Sequence, residues 1–348
     1  MYCIITIPCR PYSPAESFIF GSAVKKLVFC FAKWDKTAIF TDDTNIALHN
    51  NLFHIIMRHF ICLLLCLICS LQIAAKTKRA LVIGLGVQAD KEWAKINGDK
   101  DVAYVKDMLR TAGFRQVTTL VNQQATKAAV VKAFKQLAGA CNEGDVVYVH
   151  YSGHGQQMRD VHGDEVDGLD ECWIPYDAYL KACDKDRGEK HLTDDEVNYY
   201  LSAIRRRVGE KGKIFVVVDA CHSGDATRGL ADDEVVRGVE RIFEAAKALV
   251  ARGKAKPENH PNAKRLAEQW VTISACRSDE VNVEMKNPAV GKLTYALYRE
   301  LQVNGACNND QLMLCIRKFF KYNASSAVQN PQMTGHYRKR DNLTDILR

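Results

Sequence analysis

The chain has 348 residues, 47% of them hydrophobic and 26% charged, the proportions of a folded globular protein, and these exclude a disordered or fibrous class. Its formal net charge of +7 comes from Lys and Arg spread along the chain in short clusters such as Arg205–Arg207. No basic stripe interleaved with aromatics occurs, so a nucleic-acid partner is not indicated. The length could hold two average domains, but the patterned part is close to a single α/β domain of about 250 residues.

In chain order, residues 1–56 have scattered Cys and no capped amphipathic segment. Met57-Arg58-His59 then supplies a short basic start, Phe60–Ile73 (FICLLLCLICSLQI) is a fourteen-residue apolar run, and Ala74-Ala75 supplies small residues before Lys76. That order is the pattern of a secretory signal peptide. The run is shorter than the roughly 20 residues that span a bilayer, so no permanent membrane span is expected. The expected organisation is therefore an extension over 1–56 that is an annotation artefact, a signal peptide over 57–75, and a mature domain over 76–348 in a secreted or periplasmic protein. Six of the thirteen Cys precede Lys76, which leaves Cys141, Cys172, Cys183, Cys221, Cys276, Cys307 and Cys315. An odd count without a CxxC pair argues against structural zinc and fits one reactive thiol, with any disulfides drawn from the other six.

The mature part alternates short apolar runs with amphipathic ones. The pattern predicts strands at Ala80–Gly84, Val117–Val121, Val146–Tyr151, Ile214–Val218 and Trp270–Ala275, with a last one at Gln332–Tyr337. Helices are predicted at Asp101–Thr111, Thr126–Ala140, from Thr193 toward Arg206, and at Glu234–Arg252, Lys292–Leu301 and Asp310–Tyr322. Thr193 with Glu196 three positions on is a capping box. Gly253–Lys264 reads as a surface linker. Gly84-Leu85-Gly86 lacks the third glycine of a dinucleotide site and reads as a turn. Strands alternating with helices imply a three-layer α/β/α sandwich around a mostly parallel sheet.

Two of these strands carry the chemistry. VVYVHYSGHG ends in His154 and IFVVVDACHSG runs into Cys221. In open α/β sheets ligands bind outside the carboxyl ends of the strands, so both side chains are brought to one rim. A thiol needs a base to become a nucleophile, and a separate His supplies one. His222 is the poorer candidate, because successive side chains of extended backbone point to opposite faces. A lone Cys or a lone His is more often an ordinary buried residue, but two strand-end motifs together favour a dyad. Backbone N–H groups at Gly155 and Cys221 are the candidate oxyanion donors. Asp219 lies two residues before Cys221 and Ser152 two before His154, so each pair shares a face and projects into one cleft.

HYSGHG followed by DACHSG resembles the paired signature of the caspase-like cysteine peptidases of clan CD, family C14. The acidic run Asp160–Glu171 and Asp194-Asp195-Glu196 resemble the metacaspase branch, of bacterial type, over about Arg79–Tyr337. The resemblance implies a Cys221–His154 endopeptidase that needs no cofactor for its chemistry. It also implies a substrate pocket from Asp101, Ser152 and Asp219 for Arg or Lys before the scissile bond, and protein or peptide substrates. Gly98 stands where the family usually has Cys. Two like carboxylates, Asp101 and Asp219, are costly unless a cation enters, and a guanidinium pairs with a carboxylate in a fork that an ammonium lacks, so Arg is expected over Lys. Asp101 also fits a plain helix N-terminal carboxylate. Calcium ligands are implied at Asp170, Asp194 and Asp195. A fourth family ligand position falls on Arg228, with Asp225 and Asp232 nearby, and a merely solvated acidic loop is the alternative. Self-processing is implied after one of Arg228, Arg237, Arg241, Arg252, Lys254, Lys256, Lys264 or Arg265. The alternative from another class is a catalytically silent module of this fold that binds basic peptides.

Overall fold

The computed structural model describes residues 53–62, 76–160, 168–221, 231, 233–239, 241–245, 269–303 and 307–347. The chain divides into two compact units, Met1–Ala75 and Lys76–Arg348. In the first, residues 53–62 form a helix, and most of the apolar run from Phe60 lies outside the described residues. No helix among the described residues is long and apolar enough to cross a membrane.

The second unit is built on a six-stranded sheet. Its strands are β1 (Lys78–Gly84), β2 (Gln116–Val121), β3 (Val146–Ser152), β7 (Lys213–Asp219), β8 (Val271–Ser274) and β11 (Gln332–Thr334). Their order is β11-β8-β7-β3-β1-β2, parallel throughout except for the β11 edge. Apolar residues on alternate positions face opposite sides. Ala80, Val82, Tyr148, Phe215 and Val217 pack with α1 (Gly98–Thr111), α4 (Lys292–Val303) and α5 (Asn309–Tyr322). Leu81, Ile83, Val147, Val149, Val216 and Val218 pack with α2 (Lys127–Ala140) and α3 (Asp194–Val208). This is the expected three-layer sandwich. Strands buried on both faces read as continuous apolar runs because neither face meets water.

The helix starts follow local chemistry. Thr126 caps α2 by accepting from Ala129 N, and Thr193 with Glu196 closes the capping box of α3. Two features differ from the sequence reading. The acidic region leads into a second, antiparallel sheet of β4 (Gly155–Arg159), β5 (Leu169–Trp173) and β6 (Leu192–Thr193), while residues 161–167 lie outside the described residues. The helix expected over Glu234–Arg252 is absent from its described part: residues 233–239 and 241–245 form no helix, with a turn at Asp233, a bend at Arg237 and isolated bridges between. Val236 bridges Val283 antiparallel, and Gly238 and Phe243 bridge Gly155 and Met158 in parallel. Tertiary pairing wins there over a charge pattern that local propensity reads as helical. A further hairpin, β9 (Met285–Lys286) with β10 (Ala289–Val290), leads into α4.

Candidate active site

Ser152 and Asp219 are register partners on the adjacent parallel strands β3 and β7. The chain past each therefore leaves the sheet at the same level, and His154 and Cys221 follow two residues later. Both are fully buried. Gly155 N and Cys221 N each donate, at 3.1 Å, to one acceptor: the carbonyl oxygen of Arg237. Two converging backbone donors are the arrangement that holds an oxyanion.

His154 Nε2 lies 2.8 Å from the carbonyl oxygen of Ala94. A carbonyl only accepts, so Nε2 carries the proton and Nδ1 keeps its lone pair. Nδ1 is buried and has no hydrogen-bond partner among the described residues. Burial pushes the imidazole down to about 4, against the Ala94 hydrogen bond, so it is neutral at neutral pH, with its Nδ1 lone pair open to accept a proton. Trp93 covers the ring at 4.9 Å between centroids. The loop is pinned from below, where Tyr151 Oη donates to the His154 carbonyl at 2.6 Å and accepts from Ile174 N at 2.8 Å, its ring stacked on Trp173. The Cys221 thiol donates to the Glu280 carbonyl at 2.9 Å and packs in a small apolar cluster with Cys276, Val281 and Val283. His222 lies outside the described residues.

Beside this pair is a buried charged pocket, and Arg237 fills it. Its Nη1 donates to Asp101 Oδ2 at 2.7 Å and to the Asp219 carbonyl at 3.1 Å, and sits 3.5 Å from Asp219 Oδ1. Its Nε donates to Glu284 Oε1 at 2.8 Å. All four side chains are sealed from solvent. Burial raises Asp101 to about 6, and the neighbouring Asp219 charge adds to this against the pull of Arg237. Burial acts the same way on Asp219, but Arg237 and hydrogen bonds from Asn282 and Thr294 outweigh it and hold that carboxyl low. Burial disfavours the Arg237 cation, yet three carboxylates keep it protonated.

The N-terminal end of α4 forms the pocket floor. Gly291 N donates to Asp101 Oδ1 at 2.9 Å, and Thr294 N and Oγ1 donate to Asp219 Oδ2 at 2.8 and 2.7 Å. A Cβ on Gly291 would lie 2.6 Å from both Asp101 Oδ2 and Arg237 Nη1. Ser152 is one step back: its hydroxyl meets His150 Nε2 at 3.0 Å and Thr294 Oγ1 at 3.5 Å, not Arg237. Gly98 is equally constrained, since a Cβ there would lie 2.5 Å from Leu85 O and 2.6 Å from Ser152 O. Among the expected pocket residues, Asp101 and Asp219 touch the guanidinium. Sequence reasoning missed Glu284, Thr294 and Gly291. The alternation Val281-Asn282-Val283-Glu284 was the available signal, because it sets Asn282 and Glu284 on one face.

Arg237 reaches the pocket as part of an extended segment that lies along the cleft. Arg237 N donates to Asn282 O at 2.9 Å, Glu284 N to Val235 O at 2.8 Å and Phe243 N to Gln157 O at 2.8 Å. A Cβ on Gly238, the next residue, would lie 3.1 Å from Cys221 Sγ. The segment thus presents an arginine in an acidic pocket, its carbonyl between two N–H donors, and the following peptide at the thiol.

Asp170 is fully buried on β5, whose Cys172 pairs with Thr193 directly before Asp194. Burial, then the Asp170 and Asp194 charges, raise the Cys172 thiol well above its ordinary value, which marks both carboxylates as close by. Carboxylate oxygens suit calcium. No group of three or more His, Cys, Asp or Glu that could hold a metal ion occurs among the described residues, and Asp225, Arg228 and Asp232 lie outside them. Among the described residues, Asp170 and Asp194 are thus the carboxylates placed near one another.

The caspase-domain model (peptidase C14) matches residues 77–342, which contain every residue of this site. The chain belongs to the caspase-domain family. It is 31% identical over 157 residues to Metacaspase-2 of Arabidopsis thaliana, covering 42% of this chain and 34% of the relative. It is 26% identical to Metacaspase-2 of Trypanosoma brucei brucei, covering 62% of this chain and 58% of the relative. With Metacaspase-1 of Mycosarcoma maydis it shares 25% over 300 residues, or 75% of this chain and 70% of that one. The chain thus spans only 34%, 51% and 58% of three curated relatives. Among solved structures, protein GSU0716 from Geobacter sulfurreducens superposes with a TM-score of 0.53 at 22% identity, covering 77% of this chain and 98% of that one. Caspase-1 from Spodoptera frugiperda gives 0.51 at 12% identity, covering 75% and 89%. These two likenesses concern the fold.

Proposed function

We propose that this chain is a metacaspase-type cysteine endopeptidase that cuts peptide bonds after Arg, and less readily after Lys. The observation that carries the reading is Arg237, whose side chain meets three carboxylates while its carbonyl accepts from Gly155 N and Cys221 N. In this reading Cys221 Sγ leaves its bond to the Glu280 carbonyl and attacks the carbonyl carbon of the residue in the pocket. The His154 Nδ1 lone pair takes the thiol proton and returns it to the departing amine. The oxyanion rests between Gly155 N and Cys221 N, and water then resolves the acyl-enzyme.

The same observation supports self-processing at one bond, Arg237–Gly238, among the eight basic residues considered. Calcium stimulation through Asp170, Asp194 and Asp195 is the finer reading of the acidic region, and chelation tests it. Export rests on the apolar run after Met57, and N-terminal sequencing of protein from the native host tests it. The decisive experiment incubates the full chain with fluorogenic peptides that differ only in the residue before the scissile bond. Cleavage after Arg, abolished by Cys221→Ala, supports the reading. Binding of basic peptides without turnover indicates the silent module instead, and cleavage after Asp overturns the pocket assignment.

A further inference from the structure

We infer that Glu284 is the residue by which this pocket separates arginine from lysine, acting on the one nitrogen that only arginine carries. The inference rests on the peptidase reading above.

The three carboxylates divide the guanidinium between them. Asp101 and Asp219 approach Nη1 at the tip of the side chain, whereas Glu284 Oε1 accepts a hydrogen bond from Nε at 2.8 Å. A lysine ammonium carries its hydrogens at the tip and has a methylene along the stem where arginine has Nε–H. Asp101 and Asp219 therefore offer something to either cation. Glu284 has its donor from arginine alone.

Glu284 is also unable to follow a different side chain. Asn97 N donates to its Oε1 at 2.7 Å, and Asn97 Nδ2 donates to Oε2. Its backbone N donates to Val235 O, two residues before Arg237, so the strand that carries the carboxylate is registered to the bound peptide itself. With 5% of its surface exposed, it has little water to replace a lost partner. A lysine in the pocket would leave this carboxylate facing a methylene group. The fork pairing expected between arginine and Asp101 or Asp219 is not what forms: both approach the same nitrogen, and Nη2 has no partner among the described residues. Selectivity accordingly shifts from those two residues to Glu284.

The test compares kcat/KM for an Arg and a Lys peptide of otherwise identical sequence, in the full-length wild-type chain and in Glu284→Gln. The wild type should favour Arg by about tenfold to a hundredfold, the worth of one buried charge-assisted hydrogen bond. In Glu284→Gln the Arg rate should fall by most of that factor while the Lys rate changes little, so the ratio collapses toward one. An unchanged ratio, or a parallel fall for both peptides, overturns the inference. A second measurement leaves Glu284 in place: Arg237→Lys in the otherwise wild-type chain should slow self-cleavage at that bond by about the same tenfold or more. Equal self-cleavage rates for Arg237 and Arg237→Lys also overturn it. A wild type that cuts neither peptide, nor itself, instead marks the failure of the peptidase reading.

Discussion

The two ends of the central sheet treat buried charge in opposite ways. At the amino ends of the strands, Arg79 Nε meets Asp145 Oδ2 at 3.0 Å, and the same carboxylate accepts from Thr77 N at 2.8 Å and Asn142 N at 3.0 Å. One cation faces one anion. At the carboxyl ends, one guanidinium faces Asp101, Asp219 and Glu284, and its Nη2 has no partner among the described residues. The first cluster is balanced by residues next to the sheet. The second keeps an excess of acid, and its cation comes from a segment that threads the cleft. A matched buried pair is an ordinary part of a fold, whereas an unmatched acidic pocket filled by an extended segment is what the proposed peptidase function needs for a basic substrate side chain.

The largest expected effects test what the pocket serves. Cys221→Ala should abolish peptide hydrolysis and leave the chain uncut at Arg237–Gly238, and His154→Ala should lower the rate by about 10²–10⁴-fold. A folded His154→Ala variant of near-normal rate would remove it as the base.

Next comes stability, which contrasts the two ends directly. In a Cys221→Ala background, Arg237→Met should destabilise by about 3–5 kcal/mol in urea unfolding at pH 7, because it strands three buried carboxylates. Arg79→Met should cost less, about 1–3 kcal/mol, since Asp145 keeps two N–H donors. The Arg237→Met deficit should also shrink on acidification. Buried carboxylates without their cation have folded-state pKa values raised above the unfolded ones. Their contribution is therefore favourable at low pH and is lost as pH rises through the folded values. Equal deficits for the two variants would dissolve the contrast.

Gly291→Ala should lower kcat/KM for Arg peptides about a hundredfold, because the added methyl runs first into the Asp219 carboxylate and then into the space of the guanidinium. A rate within a few-fold of wild type would show that the floor of the pocket lies elsewhere.

A smaller effect is graded by pH. Asp101 is raised to about 6 by burial and His154 lowered to about 4, also by burial, so Asp101 should set the acidic limb for Arg substrates. Below that point kcat/KM should fall about tenfold per pH unit as the pocket acid protonates. Asp101→Asn should give a lower, flatter profile, while a limb centred near 4 in the wild type would assign it to His154. Smallest is Tyr151→Phe, expected to cost about 1 kcal/mol with a modest loss of rate as the His154 carbonyl loses its donor.

The elements that sequence exposed best are those whose chemistry is contiguous. Strands β1, β3 and β7 announce themselves as apolar runs because both faces are buried, and His154, Gly155, Cys221 and Asp219 lie within a few residues of their ends. Residues 234–245 were misread because charges spaced along EVVRGVERIFEA fit a helix, while the pairing that makes them extended comes from Val283, Gly155 and Met158, distant in sequence. Glu284 was missed for a similar reason: the alternation in VNVEM sets Asn282 and Glu284 on one face, but only the approach to Arg237 reveals what that face meets. Ser152 meets His150 and Thr294 through its hydroxyl. Sharing a face with His154 does not specify which neighbour its hydroxyl reaches.

The occupied cleft also bears on time. Because Arg237 and Cys221 belong to one chain, the peptide at the thiol is present at a fixed effective concentration, millimolar or more for roughly such tethers. A free substrate must outcompete that tether before it is seen. If the first bond cut is the one already seated, its rate does not depend on how many copies of the protein are nearby. On the proposed self-processing, each molecule would be cut once, irreversibly and by itself, so a dilute population would be processed on a first-order clock, with no threshold of assembly to cross.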